Sequence, residues 1–149
     1  KVVPFLDDNV GSPCKFLSPV GGGSLQGFFY VMKGGVMKYM FTLNDGYDFD
    51  RGDVTGHAYL THEQFRRMSA AVFRCNGRAK TMKSLNSDRL YIVTQGEGTF
   101  YIGKNNFDVH KDDIVIVPRN TTYSYAGTMT CFLVHSPAFD KTKEVQLKK

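Results

Sequence analysis

Four histidines are the side chains of this sequence best suited to proton transfer or metal binding near neutral pH: His57, His62, His110 and His135. No two of them have the helical or strand spacing that would turn both imidazoles toward one metal ion. His57 and His62 precede the strand-rich part of the chain, His110 lies beside a Lys-Asp-Asp turn, and His135 ends a predicted strand. We therefore expect surface or edge positions for them, and only His135 has some support for a catalytic role.

The three cysteines, Cys14, Cys75 and Cys131, form no CxxC pair, and an odd number cannot be fully paired within one chain. A disulfide framework is therefore not predicted, and a reducing compartment is the default expectation. The net charge of +5 comes partly from four lysines in residues 141–149. We interpret this segment as a solvated basic tail rather than a nucleic-acid-binding arm.

Four aspartates lie close together in residues 44–56 and could in principle supply oxygen ligands to calcium: Asp45, Asp48, Asp50 and Asp53. The segment lacks the DxDxDG order and the following glutamate of a calcium loop, so it is predicted to be a solvated loop. The next segment begins with Thr-His-Glu-Gln, a capping box that predicts a short helix over residues 61–68.

The remaining elements predict an all-β chain with a single domain. Residues 1–27 contain three prolines and a GGGS run and are predicted to be irregular, whereas residues 28–42 are predicted to form a β-hairpin around Lys-Gly-Gly. From Ser69 onward, short strands alternate with turn residues, as in a closed barrel or sandwich. The 42% apolar content is sufficient for one core, and no apolar stretch approaches the roughly 20 residues of a membrane span.

Two of these strands, residues 89–93 and 114–117, are apolar on both faces. A strand exposed to water on one side should instead alternate between apolar and polar residues. Something is therefore expected to cover the outside of the barrel, either the N-terminal hairpin or a second copy of the chain.

The segments NGRAKTMKSLNSDRLYIVTQGEG (residues 76–98) and DDIVIVPRNTTYSY (residues 112–125) resemble the two sequence motifs of the cupin superfamily. The resemblance implies a cupin double-stranded β-helix, or jelly-roll barrel, over residues 28–140, with the N-terminal hairpin and one short helix. It also implies that the four positions that hold a metal in that family carry non-ligands: Lys83, Leu85, Arg89 and Tyr123. Neither a lysine, an arginine nor a leucine suits a divalent transition metal, so no metal and no other cofactor is expected.

If the period-2 alternation that starts at Arg89 holds, an inward-facing group could line a pocket: Lys83, Arg89, Tyr91, Tyr123 and Tyr125. Such a pocket would suit an anionic or sugar-like ligand. The alternative is that these side chains only fill a barrel that binds nothing, since small barrels usually fill themselves.

Two further segments, QGFFYVMKGGVMKYMFTL (residues 26–43) and VPRNTTYSY (residues 117–125), resemble the C-terminal cupin domain of the centromere protein C family. This likeness implies a non-enzymatic homodimerisation module of a kinetochore scaffold, located in nuclear centromeric chromatin, with centromere-assembly proteins as possible partners and no DNA-binding motif of its own. The dimer interface would include Phe28, Phe29, Tyr30, Leu90, Ile92, Val115 and Val117.

The rival interpretation is a metal-free small-molecule cupin in a bacterial cytoplasm, either a sugar isomerase or epimerase or a ligand-sensing domain. In that case Arg89 and Lys83 would hold an anionic group, and Tyr123 or His135 would move a proton.

Overall fold

A computed structural model describes residues 29–32, 35–60 and 62–147. These residues form eleven β-strands and two 3₁₀ turns, and none of their helices is long and apolar enough to cross a membrane. The strands are β1 (Phe29–Met32), β2 (Gly35–Lys38), β3 (Tyr47–Asp50), β4 (Val54–Ala58), β5 (Ser69–Arg78), β6 (Met82–Ser84), β7 (Asp88–Ile102), β8 (Asn105–His110), β9 (Ile114–Val117), β10 (Tyr123–Ser136) and β11 (Glu144–Gln146). The 3₁₀ turns are Leu43–Asp45 and Lys141–Lys143.

Nine of the strands form one curled antiparallel sheet, and β1 and β2 form a separate hairpin. The order β11-β6-β10-β5-β4-β3 makes one path through the large sheet, while β7 pairs with β10, β8 and β9. The long strands β7 and β10 run side by side for most of their length and form the centre of the barrel. The predicted all-β barrel is confirmed.

Period-2 alternation along the central strands separates the lumen of the barrel from its outer surface. On β7, Arg89, Tyr91 and Val93 are buried, while Leu90 and Ile92 between them are partly exposed. Tyr91 and Val93 belong to one hydrophobic core cluster that also contains Phe73 from β5. Each large apolar side chain removed from water contributes about 1.5–3 kcal/mol, so this inward face holds the barrel closed.

Two glycines allow the central strands to approach each other closely. Gly98 on β7 is directly opposite Gly127 on β10, and Gly127 has a φ of 136°. A Cβ atom on Gly127 would lie 2.5 Å from the Cα of Gly98, closer than real Cβ atoms approach. The two glycines therefore let 15- and 14-residue strands bend together around the barrel.

The segment predicted to be an acidic loop, residues 44–56, is mostly strand. β3 and β4 pair antiparallel, and β4 continues the sheet by pairing with β5. The aspartates take up turn and pairing roles: Asp50 accepts from the amide of Gly52, and Asp48 pairs with His57. These local bonds let an acidic segment form a sheet edge, which the count of aspartates did not indicate.

The predicted short helix is also absent from the described residues, where 62–67 form only turns. The glutamine expected to complete the capping box, Gln64, donates its side-chain amide to the Asp45 carbonyl instead. The carbonyls of Arg66 and Arg67 accept hydrogen bonds from Ala138 and Ser136. These tertiary contacts outweigh a helix that would have been too short to be stable alone. Thr61 itself lies outside the described residues, as do residues 1–28 and the centre of the hairpin turn.

The predicted basic tail is partly structured. Residues 144–146 form β11, which pairs with β6, and Glu144 and Val145 are partly buried. The prediction of a solvated segment considered only the lysines. It did not take account of Glu144 and Val145, which lie between them and pack against the barrel.

Two residues assigned to the outer interface are in fact inside the barrel. Val115 is 8% exposed and Val117 1% exposed, whereas Ile114 and Ile116 are 61% and 63% exposed. The register pairs Leu90 with Ile116 and Ile92 with Ile114, so these four residues share the outer face. The alternation was right, but its phase on β9 was wrong, because an uninterrupted run of Ile and Val does not indicate which residues point inward. Phe28 and the side chains of Phe29 and Tyr30 lie outside the described part of the chain.

Candidate functional site

The barrel encloses a cavity of about 660 Å³, the lumen cavity. Its walls come from β3, β4, β5, β6, β7, β10 and β11, so strands that are far apart in the sequence contribute to it. The buried or partly buried side chains that could do chemistry on its wall are Ser69, Arg89, Tyr91, Tyr125, His135 and Glu144. The barrel therefore contains a pocket of the size that small ligands occupy, rather than being filled by its own side chains.

A hydrogen-bonded chain of polar side chains crosses the inner wall of this cavity. Arg89 on β7 donates through Nη1 to the hydroxyl of Tyr123 on β10. That hydroxyl lies 2.7 Å from the hydroxyl of Tyr91. Arg89 is only 4% exposed and Tyr91 and Tyr123 are each 1% exposed, so the chain is shielded from bulk water. Hydrogen bonds in such a low-dielectric setting are electrostatically stronger than in water.

The charge of Arg89 is balanced by the C-terminal strand. Arg89 donates through Nη2 to the Glu144 carboxylate on β11, and the two side chains are 4% and 17% exposed. Burial alone would lower the pKa of Arg89, but the two tyrosines and the Glu144 carboxylate together raise it above its ordinary value. The guanidinium therefore stays protonated inside the barrel, and the Arg89–Glu144 pair carries no net charge.

A buried imidazole lies directly beside Arg89. His135 on β10 is the cross-strand partner of Arg89 in the register, and it is 6% exposed. Its Nδ1 lies 3.2 Å from the hydroxyl of Ser69, which also accepts a hydrogen bond from the Phe139 amide. Burial, followed by the charges of Arg89 and Arg51, lowers the pKa of His135 to about 3. The imidazole is therefore neutral at physiological pH, and one of its ring nitrogens is a hydrogen-bond acceptor.

The three lumen tyrosines are neutral as well. Burial raises the pKa of Tyr91 above its ordinary value, although the nearby Arg89 charge acts in the opposite direction. Burial likewise raises the pKa values of Tyr123 and Tyr125 well above the ordinary tyrosine value. All three phenols thus keep their protons at neutral pH and can act as donors. The cavity therefore presents an acceptor, His135, and phenolic donors at the same time.

The structure brings four of the five residues of the predicted pocket together. Arg89, Tyr91 and Tyr125 line the lumen cavity, and Tyr123 is buried behind them. Lys83 does not line the cavity, because on β6 its neighbours Met82 and Ser84 take the inward positions. The predicted role of Lys83 in holding an anionic group inside the barrel is therefore wrong.

On β6, the residues that point into the barrel differ by one position from those that the motif assigned to metal ligands. Leu85 is 40% exposed and lies outside the barrel, so the two inward positions on β6 are Met82 and Ser84. Met82 sulfur accepts a hydrogen bond from Arg89, and the Ser84 hydroxyl accepts one from the Ser87 amide. The described residues include no group of three or more His, Cys, Asp or Glu side chains that could hold a metal ion.

The surface or edge position predicted for His135 was wrong, because the residue is buried, and the sequence analysis did not identify Glu144. The position of His135 could have been found from alternation, because Cys131, Leu133 and His135 are buried at every second residue of β10. Glu144 offered no comparable indication, since it meets Arg89 only through a contact between residues 55 positions apart in sequence. Of the other histidines, His57 pairs with Asp48 at 2.7 Å and His110 is exposed.

No protein-family model and no curated protein sequence matches the chain. Solved structures do match. A Streptomyces PAC13 variant with uridine aligns with a TM-score of 0.69 at 22% identity, covering 74% of this chain and 92% of that one. KdgF from a Halomonas species aligns with a TM-score of 0.60 at 13% identity, covering 70% and 97%. The cupin domain of Schizosaccharomyces pombe Cnp3 aligns with a TM-score of 0.56 at 16% identity, covering 69% and 77%.

These comparisons overturn the predicted function. Pac13 is a nucleoside dehydratase, and its structures align better with this chain than the Cnp3 domain does. The prediction of a non-enzymatic dimerisation module of a centromere scaffold is therefore wrong, and the likeness to centromere protein C is only weakly supported. The homodimer, the cellular location and the absence of a cofactor stay predictions. Together, the curled antiparallel sheet and these structural neighbours show that the chain has the cupin fold.

Proposed function

We propose that this protein is a small-molecule enzyme that catalyses proton transfer on a nucleoside- or sugar-like substrate bound in the lumen cavity. The observation that carries the proposal is the neutral His135 imidazole on the same cavity wall as the buried Arg89–Tyr123–Tyr91 chain. A fold shared with a nucleoside dehydratase and a cavity of about 660 Å³ both support a ligand of that size.

The residues of the cavity divide between acid and base roles. His135 is the candidate general base, because its ring is neutral and, in the tautomer whose Nδ1–H donates to the Ser69 hydroxyl, Nε2 keeps a lone pair for the substrate. Tyr91 is the candidate general acid, because it keeps its proton and lines the cavity. Arg89 is a positioning residue that orients Tyr91 through Tyr123. Groups placed in this way contribute about 10²–10⁴-fold each to proton-transfer reactions.

Elimination of water illustrates the chemistry that this arrangement supports. His135 takes the proton from a carbon next to a carbonyl group, and the electrons of the broken C–H bond form a C=C bond as the neighbouring C–O bond breaks. The Tyr91 phenol protonates the departing oxygen, so water leaves. The proton on His135 then returns to the Tyr91 phenolate, and both groups are restored.

Calorimetric titration and turnover assays test the proposal together. The wild-type protein is titrated with uridine, other nucleosides and free sugars, and aldehyde or ketone derivatives of each are assayed for loss of water by mass spectrometry. We expect binding by at least one member of this panel and turnover of its carbonyl derivative. His135→Gln and Tyr91→Phe are each expected to retain binding and to lower kcat by about 10²-fold or more.

Two matched variants outside the cavity serve as controls. His110→Gln changes an exposed histidine, and Tyr101→Phe changes a tyrosine outside the lumen cavity, so neither should alter kcat. If the whole panel failed to bind, or if His135→Gln turned over substrate at the wild-type rate, the proposal would be wrong.

A further inference from the structure

The mouth of the lumen cavity carries an excess of positive charge. The cavity is lined by four cationic side chains, Arg51, Lys80, Arg89 and Lys141, and by two carboxylates, Asp50 and Glu144, which leaves two positive charges. Inside the barrel Arg89 and Glu144 neutralise each other. The excess therefore lies with three exposed residues at the mouth, which we name the cationic rim: Arg51, Lys80 and Lys141.

The charges of the cationic rim are available to a ligand. None of its three members has an ion-pair partner among the residues that the structure describes. The one carboxylate beside them, Asp50, accepts a hydrogen bond from the Gly52 amide. An uncompensated set of cations with net charge of about two at a cleft attracts anions and favours their capture.

Arg51 is also held in place. Its guanidinium carbon lies 5.3 Å from the centre of the Phe49 ring and 5.9 Å from that of the Phe139 ring. Cation–π contacts with two aromatic rings restrain the position of the guanidinium and use none of its N–H groups, which can then bind an anion. The rim is therefore preorganised at Arg51 and supplemented by the two lysines.

Phe139 connects the cationic rim to the candidate base. The centre of its ring lies 5.4 Å from the ring centre of the buried His135. It lies 5.9 Å from the guanidinium carbon of the exposed Arg51. The charge of Arg51 also acts on His135, after burial and Arg89, to lower the pKa of that imidazole. An anionic group at Arg51 would thus lie one aromatic ring away from His135.

We propose that the cationic rim is a phosphate subsite, and that the substrate is a phosphate monoester whose uncharged, hydroxyl-bearing part enters the lumen. This inference rests on the proposed function and specifies its substrate class. The neutral interior accepts the uncharged part without leaving a buried charge unpaired, and the rim matches the charge of a dianionic phosphate. A carboxylate, with one negative charge, would leave part of the rim unneutralised.

Paired ligands test the phosphate subsite directly. Dissociation constants are measured by calorimetry for uridine and uridine 5′-monophosphate, for ribose and ribose 5-phosphate, and for glucose and glucuronate. Each phosphate ester is expected to bind roughly tenfold or more tightly than its parent compound. The preference should be lost in Arg51→Gln and in the double variant Lys80→Gln/Lys141→Gln. The parent compounds should bind these variants as they bind the wild type.

The double variant Lys104→Gln/Lys111→Gln is the matched control, because it removes the same charge from exposed lysines that do not line the lumen cavity. It should keep the phosphate preference. Equal binding of each ester and its parent, or loss of the preference in the control, would overturn the subsite. A gain for glucuronate over glucose as large as the phosphate gain would overturn the assignment to phosphate.

Inorganic phosphate separates this inference from the proposed function. If no nucleoside or sugar bound but phosphate bound to the wild type and not to the cationic-rim variants, the subsite would stand and the proposed function would fail. If uridine bound and turned over without any phosphate preference, the proposed function would stand and the subsite would fail.

Discussion

Glu144 accepts a hydrogen bond from the buried guanidinium of Arg89, and this contact ties the last strand of the barrel to its central strand. The partners lie on β11 and β7, which do not pair with each other in the sheet. The contact therefore fixes the charge balance of the lumen and the position of the C-terminal strand together.

Replacing Glu144 by Gln is expected to destabilise the fold by about 3 kcal/mol, because it leaves Arg89 charged and unpaired in a buried site. Urea unfolding followed by circular dichroism measures the change. Asp88→Asn is the control, since the Arg119–Asp88 pair is 54% and 44% exposed and should contribute less than about 1 kcal/mol. Equal losses in the two variants would contradict the structural role of Glu144.

The lowered pKa of His135 should make the free energy of unfolding depend on pH. Its pKa is about 3 in the folded protein and near the ordinary value of 6.5 in the unfolded chain, so the unfolded chain binds more protons between these values. The free energy of unfolding should therefore fall as pH drops from about 6.5 toward 3. His135→Gln should flatten the slope between pH 6.5 and 5, above the range where the carboxylates titrate, whereas His110→Gln should not. An unchanged slope in His135→Gln would mean that this imidazole is not buried.

The two described cysteines should be inert in the native protein. Burial, and to a lesser degree the other thiol, raises the pKa of Cys131 to about 12, and burial also raises the pKa of Cys75. Both are fully buried, so alkylation by iodoacetamide should be far slower without urea than with it. Peptide mapping by mass spectrometry distinguishes these sites from Cys14. Rapid native alkylation of Cys131 would show that the lumen wall opens readily.

The homodimer remains a prediction, and the structure specifies where to test it. Leu90, Ile92, Ile114 and Ile116 form an apolar patch on the outer face of β7 and β9. If two copies pack through this patch, light scattering at low micromolar concentration should show a dimer that Ile116→Asp dissociates. Asn106→Asp, on exposed β8, should leave it intact. A wild-type monomer of 16.8 kDa under these conditions would contradict the prediction.

The fold was predictable because short strands, turn residues and alternation are local properties of the sequence. The inward positions of Arg89, Tyr91, Tyr123 and Tyr125 followed from the same alternation. Alternation failed at Lys83, whose inward position was inferred from the spacing of the motif. It also failed at Val115 and Val117, because a strand made only of Ile and Val does not show which residues point inward. In both cases a shift of one residue exchanges the two faces of the strand.

The rest of the site depends on contacts that no local pattern contains. β3 and β4 form part of the cavity wall only because an acidic segment finds a sheet edge at β5. Glu144 reaches Arg89 only after the C-terminal segment pairs with β6. The function was misjudged for a related reason. The loss of metal-ligating residues was taken to mean the loss of a site, although the side chains at those positions include Arg89 and Tyr123, which form a buried hydrogen-bonded chain with Tyr91.

Exchange of substrate hydrogen with solvent deuterium tests the central claim most directly. The protein is incubated in D₂O with a carbonyl derivative of a ligand that binds the lumen cavity, and nuclear magnetic resonance follows the hydrogen on the carbon next to the carbonyl. The account predicts that the wild type and His110→Gln catalyse exchange at the same rate, and that His135→Gln slows it by about 10²-fold or more while still binding the ligand. Exchange that proceeds equally fast in His135→Gln would contradict the account.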